Sequence, residues 1–179
     1  MKTISQRQCP ATNRVSAVLT AAIMLFAVSA APGAAAQSPS QQAQGTPTNR
    51  ALLEHGRYLV KTTGCNDCHT PGYAAAGGKV DEKLWLTGDT VGWSGPWGTT
   101  YPTNLRLFMR AHTEASWLKT ARTFQPRPPM PWFNVHAMTD YDLRAIYRYT
   151  TSLGPAGEPA PAYLPPGQKP TGPVITFPG

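Results

Sequence analysis

The sequence predicts a small helical domain with long irregular loops. Three observations carry this. Three segments between residues 49 and 154 place apolar residues at helical spacing, no segment shows the alternation of a half-buried strand, and Pro and Gly together number 35 of 179 residues. That much Pro and Gly breaks too many backbone positions for a large sheet or a long bundle. A hydrophobic content of 41% nevertheless supplies the apolar mass for a core and excludes a disordered polyelectrolyte. Charged residues make up only 14%, against roughly a quarter in ordinary soluble domains, so the surface is built largely from neutral groups.

Residues 1–36 read as a secretory signal peptide. Lys2, Arg7 and Arg14 give a basic start, Val15 to Ala31 is uncharged and apolar, Pro32-Gly33 breaks the run, and Ala34-Ala35-Ala36 supplies small residues before cleavage at Gln37. The competing reading is an uncleaved anchor, and the apolar run of 17 residues sits at the short edge of the roughly 17–25 that a spanning helix needs. Both readings put the remainder outside the cytoplasm, and the expected location is the periplasm, with the mature protein not membrane-spanning. Removing the leader leaves 143 residues with 13 basic and 9 acidic groups, so the net charge falls from +7 to +4. A charge so small and so spread excludes a nucleic-acid binder, which would carry a clustered basic stripe. Cys9 leaves with the leader, and the mature chain keeps only Cys65 and Cys68.

Residues 37–48, rich in Gln, Ser, Pro and Thr, form an uncharged linker. Asn49 is the expected cap of a first helix over Arg50 to Thr62, with Leu52, Leu53, Leu59 and Val60 apolar and Gly64 as its stop. Pro71 to Pro102, studded with Gly and carrying Trp85, Trp93 and Trp97, reads as a long structured loop. Thr113 opens a second helix with Trp117, Leu118, Ala121 and Phe124 on one face, and Pro126 ends it. Thr139 or Asp140 opens a third, which buries Leu143, Ile146, Tyr147, Tyr149 and Leu153 and stops at Gly154. Residues 155–179 form a Pro/Gly-rich tail, expected to be extended or polyproline-like and to lie along the domain or along a partner.

Cys65-Asn66-Asp67-Cys68-His69 is the attachment motif of a c-type haem. Cysteines at i and i+3 lie one helical turn apart, so both sulfurs reach the two vinyl groups along one porphyrin edge, and the following His turns beneath the ring to bind iron. Three other readings compete. A Cys65–Cys68 disulfide leaves the adjacent His without a role, a thioredoxin-like pair needs a preceding strand, and a zinc site needs ligands that the mature chain lacks. The expected cofactor is one covalently bound haem c. Its sixth iron ligand has six candidates: Met109, Met130, Met138, His55, His112 and His136. Met130 is favoured, because Pro128, Pro129 and Pro131 fix the backbone around a weak, flexible thioether just ahead of the last helix. Met138 and His136 come next.

On these residues the chain resembles class I cytochromes c. The resemblance is carried by Glu54-His55-Gly56-Arg57-Tyr58-Leu59-Val60, by Cys65 to His69, by Pro128 to Trp132 and by Thr139 to Tyr149. It is most similar to the haem domains that accompany periplasmic and membrane-bound dehydrogenases, and it covers roughly residues 49–154. The resemblance implies an all-α cytochrome c fold of three to four helices around one haem. In it the first and last helices cross near Gly56 and Tyr149, and His69 and Met130 are the axial ligands. Gly98 to Leu105 resembles the segment before the family's middle helix, although it continues here as Arg106-Leu107-Phe108-Met109 in place of the usual acidic, Gly-rich stretch.

With both axial positions filled, the expected role is a monohaem electron carrier without turnover of its own, passing single electrons from a dehydrogenase or other donor to a respiratory acceptor. The redox partners would be a dehydrogenase, an oxidase or another cytochrome. The alternatives are a haem subunit of a multi-subunit dehydrogenase, or a haem sensor or peroxidase-like enzyme if the sixth position is open. Trp85, Trp93, Trp97 and Trp132 are read equally as core packing or as groups that shield the porphyrin and bond its propionates. Lys61, Lys79 and Lys83 read as ordinary solvated surface.

Overall fold

A computed structural model describes residues 48–178, so the leader expected over 1–36 and the linker as far as residue 47 lie outside the described residues. Helix α1 runs Asn49–Thr62. Its cap is Thr48, one residue before the expected Asn49: the Thr48 hydroxyl accepts the Ala51 N–H at 3.2 Å. Gly64 follows the helix with φ +81°, a left-handed conformation that turns the chain abruptly into the short helix α2, Cys65–His69.

The long segment that follows is not only loop. It holds a 3-10 turn at Glu82–Leu84 and a hairpin of β1, Gly92–Gly95, and β2, Gly98–Thr100. The two strands pair antiparallel around Pro96-Trp97, with Gly95 opposite Gly98 and Trp93 opposite Thr100. Helix α3, Leu105–Arg110, is capped by Asn104, whose side-chain oxygen accepts from Arg106 and Leu107 at 3.1 Å each. Helix α4, Glu114–Thr123, opens on Thr113 as expected, in a reciprocal cap with Ser116. Helix α5, Trp132–Ala137, precedes α6, Asp140–Ser152, which is capped by Thr139 and Asp142 in the same reciprocal way. Gly154 follows α6 with φ +69°. The tail then returns to the domain and contributes β3, Val174–Thr176, parallel to β1, so the sheet order is β2-β1-β3.

The purely helical expectation therefore misses a small sheet, and also α3 and α5. Both helices are six residues long, too short for a helical period to repeat. The strands are three or four residues each and rich in Gly or fully exposed, so no face alternates. Met130 consequently precedes α5 rather than the last helix directly.

The packing centres on the crossing of α1 and α6. A β-carbon on Gly56 would lie 2.1 Å from the Ala145 carbonyl oxygen and 2.7 Å from the Tyr149 β-carbon, so the two backbones touch there. Two buried clusters flank this contact: Val60, Tyr73, Trp85, Leu86 and Tyr149 on one side, and Met109, Trp117, Ala121, Leu143 and Ile146 on the other. Helix α6 contributes to both. Each fully buried large apolar side chain contributes roughly 1.5–3 kcal/mol, so the two clusters outweigh any single polar contact. The buried Tyr149 hydroxyl donates to Glu82 at 2.7 Å, and Arg57 grips the same carboxylate through Nε and Nη2 at 2.9 and 2.8 Å. The hydrogen bonds from Arg57 hold the Glu82 carboxyl below its usual range, while burial pushes the Tyr149 phenol up. Among the described residues no helix is long and apolar enough to cross a membrane.

Because the crossing has no room for a methyl group, Gly56→Ala is expected to destabilise the protein by about 3 kcal/mol or more. Urea unfolding measures this, and a loss below about 0.5 kcal/mol, the size of a neutral surface change, would show that the helices separate without cost.

Candidate functional site

Gly64 directs the chain out of α1 straight into α2, so Cys65, Cys68 and His69 share little more than one helical turn. Cys65 and Cys68 are half-buried and are not joined to each other by a disulfide. Burial pushes both thiols up, against a smaller opposing hydrogen bond from Thr63 at Cys65. This is the reverse of the depressed thiolate of a thiol–disulfide oxidoreductase.

His69 is buried, at 9% exposure, and its orientation is set by a group 34 residues away. Its Nδ1 lies 2.7 Å from the carbonyl oxygen of Thr103. A carbonyl only accepts, so Nδ1 carries the proton and Nε2 is left with its lone pair. Burial pushes the imidazole below its usual value, and the Thr103 bond opposes that only in part. A neutral ring with a free Nε2 and a carbonyl behind Nδ1 is the form in which histidine binds a metal.

The rest of the motif is tied into the same region. The Thr70 hydroxyl donates to the Asn66 side-chain oxygen at 2.7 Å and accepts the Leu86 N–H at 2.8 Å, while the His69 carbonyl accepts the Gly88 N–H at 2.8 Å. Leu86 is fully buried with φ +63°, a conformation a leucine keeps only when its surroundings over-determine it. Its carbonyl accepts from Leu105 at 2.9 Å, which joins the motif to the start of α3.

The six side chains expected to compete as a second iron ligand have different surroundings. His55 pairs with Asp142 at 2.7 Å and stacks on Tyr141 at 4.9 Å. Burial would raise that carboxyl, but its bonds from Thr139 and His55 outweigh burial and hold it below the usual range. His112 donates through Nδ1 to the Phe108 carbonyl at 2.9 Å, and His136 donates through Nε2 to the Phe124 carbonyl at 2.9 Å. Met109, 1% exposed, belongs to the second buried cluster, and Met138 packs against it. Met130 is half-buried and belongs to neither cluster. Its loop is tethered where the Thr100 hydroxyl donates to the Pro128 carbonyl at 2.7 Å, and the Trp132 N–H donates to the Met130 carbonyl at 2.9 Å.

One stretch, Thr100–Thr103, thus touches both His69 and the loop of Met130: the Thr103 carbonyl orients His69, and the Thr100 hydroxyl holds the loop of Met130. Sequence reasoning assigns neither threonine a role. A backbone acceptor has no side-chain signature, and the only signal available was the resemblance of Gly98 to Leu105 to a family segment.

The tryptophans divide. Trp85 donates its indole N–H to the Val80 carbonyl at 3.0 Å within the first cluster, and Trp97 donates to the Trp93 carbonyl at 3.3 Å, so both are structural. Trp93 and Trp132 are half-buried, and among the described residues their indole N–H groups find no protein acceptor. Lys61, Lys79 and Lys83 are exposed. The donor set fits a c-type haem: two unbridged thiols in one turn, an adjacent neutral histidine with Nε2 free, and a thioether outside the apolar clusters. No family model, no curated protein and no solved structure matches the chain.

With haem bound, Met130→Ala is expected to abolish the near-infrared sulfur-to-iron band of the oxidised protein and to admit carbon monoxide to the reduced one. Met138→Ala should leave the band in place and cost about 1–2 kcal/mol of stability through lost packing. The opposite pattern would transfer the ligand role to Met138.

Proposed function

We propose that the chain is a periplasmic monohaem c-type cytochrome that carries single electrons from a dehydrogenase or other donor to a respiratory acceptor. The observation that carries this reading is His69, buried beside Cys65 and Cys68 with its Nδ1 proton committed to the Thr103 carbonyl and its Nε2 free. Cys65 and Cys68 would hold the group through two thioethers, and His69 and Met130 would bind its iron. Haem supplies reversible one-electron chemistry when bound. The work of the chain is to fix that group and to limit what reaches it.

Thr103 sets the tautomer and plane of His69 and raises its basicity as a ligand. Burial of His69 limits the access of water to the ring and favours its neutral form. The Pro128–Pro131 loop would offer a thioether, which would favour the reduced state of a bound iron and take the place a substrate would need. With both residues bound, carriage rather than catalysis would follow. The net charge of +4 in the chain without its leader, reduced further by two propionates, gives little long-range steering. Partners would then be recognised at short range by shape and by neutral polar groups.

Mass spectrometry of protein exported alongside a working haem-attachment system is expected to give the polypeptide plus one haem, with no attachment in the Cys65→Ser/Cys68→Ser variant. A haem-free mass for the unaltered chain would overturn the reading. Fast oxidation by a periplasmic acceptor with slow peroxide turnover is expected of the loaded protein. Rapid peroxide turnover by a Met-ligated form would make it an enzyme instead.

A further inference from the structure

We propose that the C-terminal tail is a clamp on the loop that carries Met130, with Tyr163 and Arg127 as positioning residues; the inference rests on the ligand assignment above. Prolines on either side of Met130 fix the internal shape of that loop, but they do not fix where the loop sits on the domain. A thioether on a flexible stem is a weak ligand, and it stays in place only if its backbone does.

The tail supplies that restraint through a closed ring of contacts among three pairs of consecutive residues. Leu164 pairs with Thr99 through two backbone hydrogen bonds of 2.8 and 3.0 Å. The neighbour of Thr99, Thr100, donates its hydroxyl to the Pro128 carbonyl at 2.7 Å. The neighbour of Pro128, Arg127, lays its guanidinium 3.7 Å from the ring centroid of Tyr163. Tyr163 is the neighbour of Leu164, so the ring closes on itself. The Tyr163 hydroxyl adds a bond of 2.7 Å to the Trp97 carbonyl at the hairpin turn.

The tail lies hard against the hairpin at this point: a β-carbon on Gly98 would be 2.3 Å from the Leu164 carbonyl oxygen. Further along, β3 pairs with β1, the Phe177 N–H donates to the Ser94 carbonyl at 2.8 Å, and the Phe177 ring packs on Trp93 and Trp97 with centroids 5.8 and 5.6 Å away. Nearer the helix, the Asn104 side chain donates to the carbonyls of Ala156 and Glu158 at 2.8 and 3.1 Å. The tail is therefore held on both sides of Tyr163. It can bear on the Met130 loop because it is itself anchored.

Of the three ties, the Leu164–Thr99 pair is wholly backbone and the Thr100 bond hangs on one hydroxyl. The third, Arg127 over Tyr163, is made by side chains alone and is the one to cut. Carbon monoxide enters the reduced protein only when the thioether leaves, so its binding rate reads how often the loop lets go. Tyr163→Leu and Arg127→Gln are each expected to raise that rate about two- to fivefold, the weight of one cation–π contact at an exposed site. Both should also lower the reduction potential, whereas Tyr163→Phe, which keeps the ring, should stay close to the unaltered protein. Hydrogen exchange of the 124–132 backbone amides should quicken in the first two variants, with the amides of α1 unchanged. Unchanged carbon monoxide binding and unchanged loop exchange in Arg127→Gln, a substitution at an exposed position, would overturn the clamp even if Tyr163→Leu failed to fold. Met130→Ala separates the two ideas. If it binds carbon monoxide no faster than the unaltered protein, the ligand assignment fails, and loop exchange alone then decides for or against the clamp.

Discussion

Where α1 passes over α6 there is no space for a methyl group, and the backbones meet at Gly56 and Ala145. Everything near the motif is placed by that contact. The last turn of α1 is held against α6, Gly64 then reverses the chain at once, and the Cys65–His69 turn emerges at a defined point beside the first buried cluster. Helix α6 serves as the common wall. Tyr149 faces one cluster and Leu143 and Ile146 the other, and the Tyr149 hydroxyl finds its acceptor in Glu82, which Arg57 of α1 holds from the opposite side. A larger residue at the crossing would part the helices and move the motif away from the carbonyl that orients its histidine.

The second constraint is the economy with which one extended stretch is used. Residues 100–103 touch His69 through a carbonyl and the loop of Met130 through a hydroxyl, and they lead through Asn104 into α3. Because these links share a few consecutive residues, the acceptor for His69 and the donor to the Met130 loop are set relative to one another by a short run of backbone. Buried Arg106 adds to this region and, among the described residues, has no ionic partner. It donates to the carbonyls of Lys83 (2.7 Å), Gly154 (2.5 Å) and Leu153, and so caps the end of α6, where a cation is favoured by the helix dipole.

A surface poor in charge and a chain rich in Pro and Gly now have a common explanation. The described helices are at most 14 residues long, and the space between them is filled with extended segments that are held by backbone hydrogen bonds and by aromatic contacts such as Phe177 on Trp93 and Trp97. Such segments need few charges to stay in place. The tail, expected to lie extended along the domain or along a partner, contributes the third strand of the sheet.

Local structure was legible in the sequence by itself. The Thr113 and Thr139 caps, the glycine stops at Gly64 and Gly154 and the three longer helices all depend on residues within a few positions of one another, and they stand where expected except that the first cap is Thr48 in place of Asn49. Tertiary structure alone decided the rest. The partner of His69 is a backbone carbonyl 34 positions away; the short helices α3 and α5 lack a repeating period; and the strands, built from Gly, Thr and exposed Val and Ile, pair through backbone groups that every residue possesses. Sequence patterns report side chains and their local spacing, whereas these features depend on which distant backbone groups the α1–α6 crossing brings within hydrogen-bonding distance.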